Sequence, residues 1–139
     1  MPYIRSDNRT ARTRFVDLLV PSQDLTPDAA GFPAASSSGV VSGGVTKAGL
    51  ELGDVGVLRL VFNCTVAGTT LTPIIETSFD NAVADAYRAC PTAGAFAAVT
   101  ATGITRATYF PDRWVRVRWA APTGSFTFTL SGEGLTSGP

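Results

Sequence analysis

Residues 57–66, VLRLVFNCTV, place every second side chain on one face: Leu58, Leu60, Phe62, Cys64 and Val66, with Arg59, Asn63 and Thr65, and also Val57 and Val61, on the other. SFTFTLS (125–131) repeats this more cleanly, with Phe126, Phe128 and Leu130 against Ser125, Thr127, Thr129 and Ser131. A repeat of two suits a strand buried on one side and does not gather into one stripe of a helix. RWVRVRWA (113–120) divides in the same way, Val115, Val117 and Trp119 opposing Trp114, Arg116 and Arg118. LTPIIETS (71–78), FAAVTAT (96–102) and ITRATYF (104–110) predict shorter strands. Pro73 has no N–H to give a ladder, which marks its strand as an edge or a strand start. Turn signals fall between these runs, near the roughly 8–12 residue spacing of a sandwich or barrel. DNAVADAYRAC (80–90) fits a helix capped by Asp80, or a turn with a strand from about residue 84; the second is preferred. The expected fold is all-β: an antiparallel β-sandwich, jelly-roll or immunoglobulin-like, over residues 47–139, behind an extended N-terminal arm over 1–46.

The arm has its own character. Residues 1–14 carry Arg5, Arg9, Arg12 and Arg14 against Asp7 alone. Residues 21–46 hold three prolines, many glycines and the run Ser36-Ser37-Ser38, which prevent a helix. A connection of that length without regular structure is too long for an ordinary loop. The apolar block Phe15, Val16, Leu18, Leu19 and Val20 just before it calls for a surface to lie against.

Composition narrows the chemistry. The chain of 139 residues is 45% hydrophobic and 16% charged, which suits one globular domain with an arm and excludes wholesale disorder. Eleven basic and eleven acidic residues cancel, so net charge names no partner. Histidine is absent, and with it the usual general base and the commonest metal ligand. No phosphate-binding glycine loop and no GxSxG elbow occurs. The carboxylate pairs Glu76 with Asp80, or Asp112 with Glu133, are the remaining acid–base candidates. Asp80 and Asp112 sit at turn signals, where Asp commonly accepts backbone N–H groups instead. Asp80 with Asn81, or Asp24 with Asp28, are the calcium candidates, but the EF-hand pattern is missing. Cys64 and Cys90 read as two small buried hydrophobes, with a disulfide as the alternative. No catalysis, cofactor or metal is expected. No apolar run reaches the roughly 18 residues of a membrane span, and the N-terminus lacks a signal-peptide core, so synthesis in a cytoplasm is expected.

Trp114, Arg116 and Arg118 stand two apart on one strand face and so lie side by side. Three readings compete: a solvated face with Trp114 packed under an arginine, a protein interface, or a platform for sugar or nucleic acid.

Residues 57–134 also carry an ordered set of motifs: the apolar strand VLRLVFNCTV, then ETSFD, Phe110 before a turn, RWVRVRW and SFTFTLSGE. This set resembles small structural proteins encoded among the head and tail genes of tailed actinobacteriophages. The resemblance implies a virion component with a β-sandwich fold. A compact sandwich with a long arm suits a capsid decoration (cementing) protein on the phage head surface, made in the host cytoplasm. Its expected partners are the major capsid protein and itself, as a homotrimer, without direct contact to nucleic acid or membrane. The expected interface is Phe15, Leu18 and Leu19 for docking, Arg5, Arg9, Arg12 and Arg14 for an acidic capsid surface, and Trp114, Arg116 and Arg118 for subunit contact. A tail or head–tail connector subunit is one alternative. A carbohydrate-binding or adhesion module stacking sugars on Trp114, Tyr109 or Tyr87 is another, and an enzyme the most distant.

Overall fold

The structure is a computed structural model that describes residues 12–25, 49–123 and 126–136. Among the described residues nine strands form two antiparallel sheets, and no helix occurs. The strands are β1 (Arg12–Leu25), β2 (Leu50–Glu51), β3 (Val55–Val66), β4 (Thr70–Ser78), β5 (Arg88–Ala89), β6 (Thr92–Gly94), β7 (Gly103–Tyr109), β8 (Trp114–Thr123) and β9 (Phe126–Thr136). One sheet runs β1-β9-β3-β7-β6 and the other β2-β8-β4-β5. The pairings are nested: β1 with β9, β2 with β8, β3 with β7 and β4 with β5. Pairs β3–β9 and β4–β8 join these layers into sheets.

The period of two explains the sandwich. Leu58, Leu60 and Phe62 of β3 and Phe126, Phe128 and Leu130 of β9 are completely buried, as are Val115 and Val117 of β8. Each such side chain contributes roughly 1.5–3 kcal/mol by leaving water. Phe62 stacks on Phe128 with ring centroids 4.4 Å apart, and Phe96 meets Phe62 edge-on at 6.2 Å. Cys64 and Cys90 are free thiols within this core.

Three expectations change. Val66 is exposed, because the β3–β9 register shifts between Cys64 and Val66 and the alternation ends there. FAAVTAT forms no strand. Its two large apolar residues, Phe96 and Val99, are three apart and both buried, a spacing that a strand cannot send to one face. Val99 instead makes a single bridge to Leu71, with N···O distances of 3.0 and 2.7 Å. Residues 80–90 turn at Asn81 and Ala82 and reach a strand only at Arg88–Ala89.

Pro73 lies within β4, not at its start. Leu71 bonds Val99, and the Ile75 carbonyl accepts from Cys90 N–H, both on the side of β4 away from β8. Alternate residues of an antiparallel strand bond to the same side. Pro73 therefore directs its missing donor to a stretch of edge that no described strand occupies.

Of residues 1–46, only Arg12–Leu25 are described, and they form the edge strand β1. The segment Pro21–Leu25, expected to be irregular, continues that strand. Pro21 stands where the register shifts between Leu19 opposite Leu130 and Gln23 opposite Phe128, a place where a lost N–H is tolerated.

Candidate interface

Strand β8 sets Trp114 opposite Ser78, Arg116 opposite Glu76 and Arg118 opposite Ile74 of β4. Glu76 is the centre of this face. Arg116 Nε donates to Glu76 Oε1 at 2.9 Å and Arg118 Nε to Glu76 Oε2 at 3.0 Å. The Glu76 and Arg116 side chains retain only 11% and 15% of their exposure, and Arg118 retains 37%. The Arg116 guanidinium lies 4.0 Å from the centre of the Tyr87 ring. The ring under Arg116 is thus Tyr87, whereas one of the three sequence readings put Trp114 there.

The β4–β5 loop brings Tyr87 there. TSFD (77–80) forms its foundation. Thr77 Oγ1 donates to the Trp114 carbonyl at 2.9 Å and accepts the Asp112 N–H at 2.7 Å. Ser78 Oγ donates to the Asp85 carbonyl at 2.6 Å and accepts the Ala82 N–H at 3.1 Å. Asp80 accepts the N–H groups of Val83, Ala84 and Asp85 at 2.9–3.1 Å, the backbone role expected of a turn aspartate. Asn81 and Ala82 adopt the left-handed region, with φ of 60° and 67°. Asn81 Oδ1 then accepts both Tyr87 O–H at 2.7 Å and Gly49 N–H at 3.0 Å. A side chain at Gly49 would meet the Tyr87 hydroxyl at 2.1 Å, so this closure needs glycine. Burial pushes the Tyr87 hydroxyl up to about 12 and holds it as a donor.

Arg88 closes the same end of the sandwich. It grips both carboxylate oxygens of Asp85 at 2.9 and 2.8 Å, pairs with Asp112, and lies 5.5 Å from the Phe79 ring centre. Its hydrogen bonds hold Asp85 below the ordinary carboxylate range. Asp112 is therefore an ion-pair partner rather than a backbone acceptor. Phe79 beside Arg88 is left 61% exposed, and Val83 and Phe110 are 86% and 42% exposed.

The expected interface residues divide between the two sheets. Trp114, Arg116 and Arg118 lie on the four-stranded sheet, with both arginines engaged inside their own chain. Arg12, Arg14, Phe15, Leu18 and Leu19 lie in β1 of the other sheet. Arg14 stands opposite Gly134, Phe15 opposite Glu133 and Leu19 opposite Leu130, while Leu18 falls at a register shift. Arg5 and Arg9 lie outside the described residues. Among the sugar-stacking candidates, Tyr109 is 2% exposed and its hydroxyl accepts the Phe96 N–H at 3.1 Å, which removes it from any platform. The carboxylate pairs are not pairs: Glu76 serves Arg116 and Arg118, Asp80 its turn, Asp112 Arg88, and Glu133 Arg59. Among the described residues no three metal-ligating side chains cluster, and no helix is long and apolar enough to cross a membrane.

Sequence reasoning named Glu76 as an acid–base candidate and Tyr87 as a sugar platform, and missed that the two hold Arg116 between them. The signal for Glu76 was present: one charge among the apolar and hydroxyl residues of LTPIIETS requires a partner if it is buried. No family model, curated protein or solved structure matches the chain.

Proposed function

We propose that the chain is a structural virion protein, a capsid decoration protein that ties shell subunits together. The nested pairing β1–β9, β2–β8, β3–β7 and β4–β5 carries this reading. A chain folded as one long hairpin and rolled up makes this set of pairs, which favours a jelly roll over the immunoglobulin-like form. Jelly rolls serve as viral capsid and lectin domains. Lectin use would rest on Trp114 alone, since Tyr109 is buried and Tyr87 lies under Arg116.

Fold alone does not choose a function, so the residues must narrow it. The motifs that suggested a virion protein have framework roles here. TSFD builds a turn, RWVRVRW carries the ion-paired face, and the glycine of SFTFTLSGE lets two backbones meet. A side chain at Gly132 would stand 1.8 Å from the Arg59 carbonyl oxygen. Phe79, exposed beside Arg88, offers the major capsid protein an apolar contact next to a charge. The homotrimer belongs to the same reading.

Quantitative mass spectrometry of purified virions from the source of the sequence tests it. A copy number near that of the major capsid protein is expected. A few per cent of that number would assign the chain to the tail or connector, and complete absence would overturn the structural role.

A further inference from the structure

Strand β1 is held to the sandwich from one side. Its only strand partner among the described residues is β9, and it forms the edge of its sheet. Its register breaks between Asp17 and Leu19 and again before Gln23, so the pairing falls into separate stretches. Residues 26–49 separate it from the next strand.

The length of that connection matters. Leu25 pairs with Phe126, at the end of the sandwich where β3 passes into β4. Leu50 pairs with Val115, at the opposite end. The connection must therefore cover one strand length, roughly 30 Å. Fully extended, residues 26–49 span roughly 80 Å, more than twice the ~35 Å width of a domain this size. The chain is long enough to deliver β1 to the β9 of a neighbouring copy.

The energetics do not oppose that delivery. The β1–β9 ladder has the same hydrogen bonds whichever copy supplies β1. What differs is the closure entropy of the connection, which changes slowly with length. A tether acts as an effective concentration, on the order of millimolar for a short flexible linker and lower for a longer one. Copies packed side by side reach similar local concentrations. Leaving β9 bare would expose a long open edge, which any strand could extend. Reciprocal exchange fills every such edge and adds no new unpaired group.

We propose that β1 is an exchangeable strand: neighbouring copies of this chain swap it, each β1 completing the five-stranded sheet of the next through β9. The partner is a second copy, so the proposal stands apart from the virion reading. A chain absent from virions that still exchanges β1 would lose the first reading and keep this one.

Cross-linking of the full chain tests it. Asp17 and Ser131 are opposite one another across β1 and β9, within disulfide reach. Single variants Asp17→Cys and Ser131→Cys are mixed, refolded together at rising concentration, oxidised, and run without reductant. Cys64 and Cys90 stay out of the reaction because both are buried. Exchange gives a covalent heterodimer whose yield rises with concentration. The double variant Asp17→Cys/Ser131→Cys closing wholly as a monomer, with no heterodimer from the mixed singles, would overturn the proposal. So would an Asp17→Cys homodimer alone, which marks edge-to-edge pairing of β1. So would the absence of any link, in this pair and in Thr13→Cys with Leu135→Cys, since β1 would then not pair with β9.

Discussion

The two outer faces of the sandwich carry the same three charges in different settings. On the four-stranded sheet, Arg116 and Arg118 converge on Glu76. On the five-stranded sheet, Arg59 pairs with Glu133 at 3.2 Å, and Arg106 has no acidic partner among the described residues. The strand geometry is alike. The difference is cover: the loop of residues 79–87 lays Tyr87 over the first face, while Arg59 and Glu133 keep 57% and 38% of their exposure. A shallow groove there of about 530 Å³ runs past Arg59, Arg106 and Glu133. Charge pattern alone therefore does not tell an interface from a strut. What lies over the charges decides it.

The largest expected effect tests the strut. Glu76→Gln leaves two arginines facing a neutral amide in a nearly closed site. Removing one partner of a buried pair costs about 3–5 kcal/mol, and the partial exposure of Arg118 puts this case near 3. Urea denaturation of the variant measures it. A loss below about 1 kcal/mol would mean that the cover opens in solution and that the two faces are equivalent.

Alkaline pH probes the covered side next. Burial raises the Cys90 thiol from 9.0 to about 12, and the Tyr87 hydroxyl from 10.0 to about 12. Between about pH 9 and 12 the unfolded chain gives up these protons while the folded chain keeps them. Stability is then full below pH 9 and falls as pH rises through the window. The slope reaches about 1.4 kcal/mol per pH unit for Cys90, and less for the half-buried Tyr87. Urea midpoints at pH 7, 9 and 10.5 give the curve. A flat curve to pH 10.5 would show water already reaching both groups.

A smaller effect sits in the turn that holds the cover. Ala82 pays for a left-handed φ of 67° that glycine adopts freely. Ala82→Gly should gain about 0.5–1 kcal/mol, the relief of strain less the entropy of the freer unfolded chain. Asn81→Gly, at a nearly equal φ, should lose stability, because Oδ1 accepts from both Tyr87 and Gly49. Thermal melts of the two variants should move in opposite directions. Movement in the same direction would mean that backbone strain, and not the Asn81 bonds, governs the loop.

The sequence disclosed what repeats along the chain and concealed what meets across it. Leu58, Leu60, Phe62, Phe126, Phe128 and Leu130 were legible because alternation is a local property that burial then enforces. Phe96 and Val99 were misread as a strand because composition resembles one where spacing does not. The pairing of Glu76 with Arg116 depends on the register of β4 against β8, which no single segment contains. A cation–π contact by Trp114 was one of three readings of its strand face, because Trp114, Arg116 and Arg118 stand two apart on one strand. Tyr87 takes that place through a loop whose path rests on Ser78, Asp80 and Asn81 together. The strand character of Arg12–Leu25 was hidden by Pro21 and by the low-complexity residues after it.

The smallest expected effect closes the comparison from the exposed side. Glu133→Gln removes the partner of Arg59, but both groups are well hydrated. Exposed pairs of this kind contribute about 0.2–1 kcal/mol, and screening by salt lowers that further. The loss should be below about 0.5 kcal/mol and vanish in molar sodium chloride. Measuring it at two protein concentrations adds a second use. A loss of 2 kcal/mol or more that appears only at the higher concentration would mean that another copy covers Arg59 and Glu133. The five-stranded face would then be a contact between copies, buried by assembly as Glu76 is buried by its own loop.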